Sequence, residues 1–230
     1  MNSIIEKEKK LNEAISELKN LDLSNPDLKN NIENLSSQKT QLEIEKSHLE
    51  DKYKSLLVEH KNLSIKLEEI QNLSVKNNKK LVVYLSMAFG NPYGENYHPD
   101  IVAELTEKLH HLEIGIVALS DTIGVCNPTN IASIFSILIQ EYPTIEFGAH
   151  FHTTIDKWQE KIDCAYNSGC RRFDSAIKGY GGCPMASNEL IGNIPTEKLI
   201  NFFKKKENNL KLNILDFENA IDNFKTLIKL

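Results

Sequence analysis

Thr144-Ile145-Glu146-Phe147-Gly148-Ala149-His150-Phe151-His152-Thr153-Thr154 reads as a buried strand whose far end carries two histidines. Side chains alternate between the two faces of a strand, so His150 and His152 point one way and Phe151 the other. Two imidazoles on one face either chelate a divalent cation or donate to nearby backbone carbonyls, and the spacing alone leaves both readings open. Further along, Lys178-Gly179-Tyr180-Gly181-Gly182-Cys183-Pro184 forms a glycine-rich loop closing on Gly192-Asn193. Its glycines permit close backbone approach and its proline stiffens the turn behind a thiol. Cys183 is therefore either a presented, reactive thiol or a small cysteine buried in a tight turn.

Outward from this stretch the pattern is regular. Leu81 to Ser86, Ile114 to Ser120, Ile145 to Phe151 and Arg172 to Ala176 read as strands. Helices are expected over Pro99 to Leu112, Thr129 to Gln140, Ile155 to Ser168 and Pro195 to Lys205, with a last one from Leu215 to Leu230. Four β-α units in a row predict a parallel sheet with helices outside. In such folds ligands bind where strands end and helices begin, which is where Asn91 to Glu95, Asp121-Thr122, the histidine pair and the Cys183 loop all fall.

The chain before Lys80 follows other rules: it has no glycine and one proline. Leu28, Leu35, Leu42, Leu49, Leu56, Leu63 and Ile70 recur every seven residues, the seam of a coiled coil. The companion positions Ile32, Lys39, Lys46, Tyr53, His60, Leu67 and Ser74 are mixed, and lysines there suit a two-stranded coil from which they reach solvent. The reading is a parallel homodimer through residues 1–78, with a short first helix and a break near 21–26. A single unpaired amphipathic helix is the alternative.

The net charge of −5 over 230 residues gives no basic footprint for nucleic acid or an anionic membrane surface. No apolar run is long enough to span a bilayer, and the N-terminus lacks the apolar core of a secretory signal. Cys126, Cys164, Cys170 and Cys183 form no C-x-x-C pair. A reduced, cytoplasmic protein is expected.

Four motifs, Ser120-Asp121-Thr122-Ile123-Gly124, Gly148-Ala149-His150-Phe151-His152, Gly179-Tyr180-Gly181-Gly182-Cys183-Pro184 and Gly192-Asn193 leading to Thr196-Glu197, stand in one order. In that order they make the region from about Lys80 to Phe203 resemble the C-terminal half of the 3-hydroxy-3-methylglutaryl-CoA lyases, metal-dependent enzymes on (β/α)8 TIM barrels. The resemblance implies an α/β fold in which residues 79–230 form a partial barrel behind the coiled coil. It implies Mg2+ or Mn2+ held by His150, His152 and Asn193, and an acyl-CoA substrate cleaved to acetyl-CoA and acetoacetate. It makes Cys183 and His150 catalytic, Asp121 an acid near the substrate, and Tyr84 a pocket residue. Asp121 also fits a turn-capping role, and Tyr84 a place in the core.

A full barrel takes eight strands in about 250 residues, and the strand that carries the family's Arg-Asp pair is not found here. Thr153 stands where many relatives carry aspartate. A half barrel is expected to expose two sheet edges and an apolar inner face, and lyase activity of the chain alone is expected to be impaired. The competing expectation is a non-enzymatic coiled-coil protein carrying a degenerate or chimeric barrel fragment.

Overall fold

A computed structural model describes residues 2–18, 26–182, 191–206 and 210–228. Two compact units divide at Glu69 and Ile70.

The first unit is helical. Helix α1 runs Asn2–Leu18, and α2 runs Pro26–Lys76 with none of its residues fully buried. The expected break near 21–26 lies almost wholly outside the described residues. Lys46 Nζ sits 3.3 Å from Glu8 Oε2, which ties the first helix to the second. Between Leu28 and Lys46 the seam positions are half-buried, whereas Leu49, Tyr53, Leu56 and Leu63 are exposed. The first stretch of the seam is thus already partly covered within one chain, a feature the heptad pattern does not reveal.

In the second unit, strands β1 (Val83–Leu85), β2 (Ile116–Asp121), β3 (Glu146–Thr153) and β4 (Arg172–Phe173) lie side by side in chain order, all parallel. Between them run α3 (Pro99–His111), α4 (Pro128–Glu141) and α5 (Trp158–Asn167). After β4 come a 3-10 turn at Ile177–Gly179, β5 (Gly192–Asn193), α6 (Thr196–Lys206) and α7 (Ile214–Ile228). Asn127 starts α4 with a capping box, its side chain accepting from the Thr129 and Asn130 amides while Asn130 answers to the Asn127 amide. Pro128 in the first turn has no amide to leave unpaired.

The four parallel strands stand close to where the sequence pattern puts them, with smaller limits. The first is confined to Val83–Leu85 and the fourth to Arg172–Phe173. Helix α5 begins at Trp158 because a turn intervenes, with the Lys157 amide on the Thr154 carbonyl. The two-residue β5 is not in the sequence reading. It pairs antiparallel with the last residues of β3, His152 opposite Asn193 and Thr153 opposite Gly192, beyond the point where β4 stops at Ala149.

The core lies between the sheet and the helices. Val117, Leu119, Phe147, Ala149 and Phe151 meet Ile131, Phe135 and Leu138 of α4 and Ile162 and Ala165 of α5, all buried. Phe89, Phe135 and Phe151 form an aromatic cluster with centroids 5.6 to 6.5 Å apart. The other face corrects the expectation of an apolar inner surface. Strand parity places Tyr84, Ser120, Glu146, Gly148, His150, His152 and Arg172 there, so charged, hydroxyl and imidazole groups dominate and Ile116 and Ala118 stay buried among them. Such a face meets water without the penalty of an exposed apolar patch.

Candidate metal and acid–base site

The polar face is richest at the C-terminal ends of the strands. His150 lies in register with Ser120 of β2, and His152 faces Asn193 of β5. The two imidazole centroids are 5.2 Å apart with their planes at 89°. Each ring is anchored through Nδ1. That of His152 lies 3.0 Å from the Asp121 carbonyl oxygen, and that of His150 lies 3.2 Å from Asp174 Oδ2. Burial of the His152 ring, helped by repulsion from His150, holds its pKa below the ordinary histidine value against the opposing pull of the Asp121 carbonyl. A ring kept neutral with one nitrogen committed offers the other as a ligand.

Asn193 reaches the pair through the glycine loop. Its Nδ2 donates to the Tyr180 carbonyl at 3.0 Å and its backbone amide to Gly181 O at 3.2 Å. With the amide nitrogen so occupied, the side-chain oxygen is the free acceptor. Gly179 makes this approach possible. It adopts φ +68°, and a Cβ there would lie 2.7 Å from the Asn193 carbonyl oxygen, so no other residue fits.

Two imidazoles and an amide oxygen suit a divalent ion of intermediate hardness. The set contains no carboxylate or thiolate, and among the described residues no group of three or more His, Cys, Asp or Glu is arranged to hold a metal. The set leaves positions that oxygen ligands from substrate or solvent would fill around a divalent cation. Cys183 lies outside the described residues.

Asp121 is placed away from this site. It pairs in register with Phe151, and its side chain, with no exposed surface, turns to the helix face. Lys161 Nζ of α5 donates to Asp121 Oδ2 at 2.9 Å, to the His152 carbonyl at 3.0 Å and to the Gly124 carbonyl at 3.1 Å, which uses every ammonium proton. Asp121 Oδ1 takes the Val125 amide at 2.8 Å. Of the two readings open in the sequence, the geometry is that of a turn-holding carboxylate. The structure does not bring Asp121 to the face that carries the histidines.

Tyr84 is on the site face and half exposed, with its hydroxyl 2.7 Å from Asp174 Oδ2. That hydrogen bond, before burial, raises the tyrosine pKa. Asp174 is itself held below the usual carboxylate range, chiefly by His150, then by Tyr84 and Arg172, against the effect of burial. The Arg172 side chain lies across Gly148, and its Nε is buried with no partner among the described residues. The sequence pattern places Asp174 and Arg172 in a strand and Lys161 in a helix and gives none of them a role in the site. The sequence pattern carries Asp174 inside a strand over Arg172 to Ala176; the structure ends that strand at Phe173, which puts Asp174 at the strand end with the other polar groups.

A parallel β/α sheet with its polar cluster at the C-terminal strand ends is the arrangement of one part of a TIM barrel. A sequence profile of the HMGL-like family matches residues 34–223, and the chain belongs to that family. It is 31% identical over 148 residues to the hydroxymethylglutaryl-CoA lyase YngG of Bacillus subtilis, covering 64% of this chain and 48% of that protein. It is also 31% identical over 121 residues to the (R)-citramalyl-CoA lyase of Chloroflexus aurantiacus, covering 53% of this chain and 38% of the relative. The crystal structure of the Bacillus subtilis HMG-CoA lyase superposes with a TM-score of 0.65 at 27% identity, over 71% of this chain and 54% of that one. The chain spans about half the length, or less, of the curated relatives it matches. No helix among the described residues is long and apolar enough to cross a membrane.

Proposed function

We propose that this chain carries one half of a divalent-cation-dependent lyase site that cleaves a carbon–carbon bond in a 3-hydroxyacyl-CoA. The favoured substrate is 3-hydroxy-3-methylglutaryl-CoA, giving acetyl-CoA and acetoacetate. The observation that carries this reading is the convergence of His150, His152 and Asn193, each with its other polar atom already tied to the protein. CoA thioesters are named for both relatives compared above, which supports the substrate class. His150, His152 and Asn193 would hold Mg2+ or Mn2+, which when bound polarises substrate oxygens.

The chain's own residues then have distinct tasks. The imidazoles stay in place through their Nδ1 anchors. A base at this face removes the proton of the tertiary hydroxyl, the bond between that carbon and the thioester's α-carbon breaks, and the electron pair leaves on the acetyl-CoA enolate. Protonation of that carbon completes the reaction, with the Cys183 thiol as the proposed donor. Asp121 holds the end of β2 through Lys161 and takes no proton.

Mn2+ titration followed by EPR, together with acetyl-CoA release from 3-hydroxy-3-methylglutaryl-CoA, tests the proposal. Saturable Mn2+ binding that disappears in His150→Ala/His152→Ala, and turnover reduced in Cys183→Ala, are expected. Binding no different between the wild type and the double variant would sink the metal-site reading.

A second observation bears on assembly. The exposed seam from Leu49 to Leu63 supports pairing of two chains through a coil over residues 1–78, with residues 79–230 as the lyase-type domain. Light scattering coupled to size exclusion is expected to give the mass of a dimer, and a monomer at micromolar concentration refutes the coil.

A further inference from the structure

The Asp174 carboxylate is the meeting point of three strands. Its backbone amide donates to the Ala149 carbonyl at 3.0 Å, fixing it just past β4 and beside His150. One oxygen, Oδ2, accepts both from Tyr84 of β1 and from the imidazole on β3. The His150 ring also stands edge-on between two others, with Tyr84 at 5.5 Å and 88° and His152 at 5.2 Å and 89°. Rotation of that ring is restricted on both sides, and its Nδ1 side faces an acceptor without a proton of its own.

We propose that Asp174 is the positioning residue of His150: it fixes the ring as the Nδ1–H tautomer with Nε2 presented to the cation, and Tyr84 holds the carboxylate in place. This rests on the lyase-site reading above. A neutral imidazole has one proton, so an acceptor at Nδ1 leaves the lone pair on Nε2. The partner of His152 is a neutral carbonyl whereas that of His150 is a carboxylate, so the two rings are held by unequal partners. The donor set contains no carboxylate or thiolate, and Asp174 supplies a negative charge one hydrogen bond away. Tyr84 accordingly serves as a support for the carboxylate, alongside the place in the pocket that the family resemblance implies.

The test needs no metal for its first arm. Long-range 1H–15N NMR of the metal-free full chain at pH 9 reads the tautomer of each histidine. His150 is expected as Nδ1–H in the wild type and in Asp174→Asn, whose amide oxygen still accepts, but largely as Nε2–H in Asp174→Ala. His152 should stay Nδ1–H throughout and serves as the folding control. The second arm is Mn2+ affinity, expected to fall about 10–100-fold in Asp174→Ala and less in Asp174→Asn. His150 as Nε2–H in the wild type overturns the proposal, even if the alanine variant fails to fold. An unchanged tautomer in a folded Asp174→Ala does the same. If the wild type binds no Mn2+, the lyase-site reading fails, while the tautomers still decide the role of Asp174.

Discussion

Two carboxylates a few residues from the same sheet end, Asp121 and Asp174, face in opposite directions and have opposite fates. Asp121 is sealed on the helix side against Lys161, with 0% and 3% of the two side chains exposed. Asp174 faces outward with His150, and 25% and 30% of those side chains remain exposed. The closed pair has every hydrogen bond satisfied and stabilises the strand ends. The open pair keeps groups reachable by a ligand. A polar residue at a strand end therefore says little about function until the face it points to is known.

The largest expected effect breaks the closed pair. Lys161→Met leaves Asp121 buried without its counter-charge and should cost about 3–5 kcal/mol of stability in urea unfolding. Asp121→Asn/Lys161→Met should recover much of it, and a loss below about 1 kcal/mol in the single variant would show that the pair is not the clamp described. Next, Gly179→Ala forces a side chain into left-handed backbone at a contact of 2.7 Å with the Asn193 carbonyl. It should cost about 2 kcal/mol and weaken Mn2+ binding, because Asn193 moves with the loop.

The smallest effect is a pH slope that separates the two faces. The folded-state pKa of His152 is lowered, so below the ordinary value of 6.5 the unfolded chain binds more protons than the folded one. Stability is then complete above that value and declines as pH falls through it toward the lowered folded pKa. Unfolding free energies at pH 7.5 and 5.5 should differ more for the wild type than for His152→Gln, and equal slopes would exclude this contribution.

Much of the fold was legible because alternation and turn chemistry are local. The pairing of His150 with His152 followed from strand parity alone. What escaped depends on partners distant in sequence. The side on which Asp121 lies is set by the Ser120–His150 register, and its partner Lys161 is 40 residues further on. Strand β5 is two residues long and is created by the edge that β4 leaves open on β3, so no local periodicity announces it. Asn193 entered the candidate site through the family resemblance, and the antiparallel pairing with His152 now supplies its physical reason. The ion pair between α1 and α2 links residues 38 apart and equally leaves no mark on the heptad pattern.

Gly148 and Arg172, in register on neighbouring strands, share one allotment of volume. A Cβ on Gly148 would come within 2.9 Å of Arg172 Cδ and 3.2 Å of its Cγ, the middle of the side chain and not a free end. The two positions are thus bound to vary together: the long residue is admissible only opposite the one without a side chain. Gly148→Ala should be poorly tolerated alone and rescued by Arg172→Val, and an equal loss of stability in the single and double variants would break that link. Selection acting on one of these strands is constrained by the width of its neighbour.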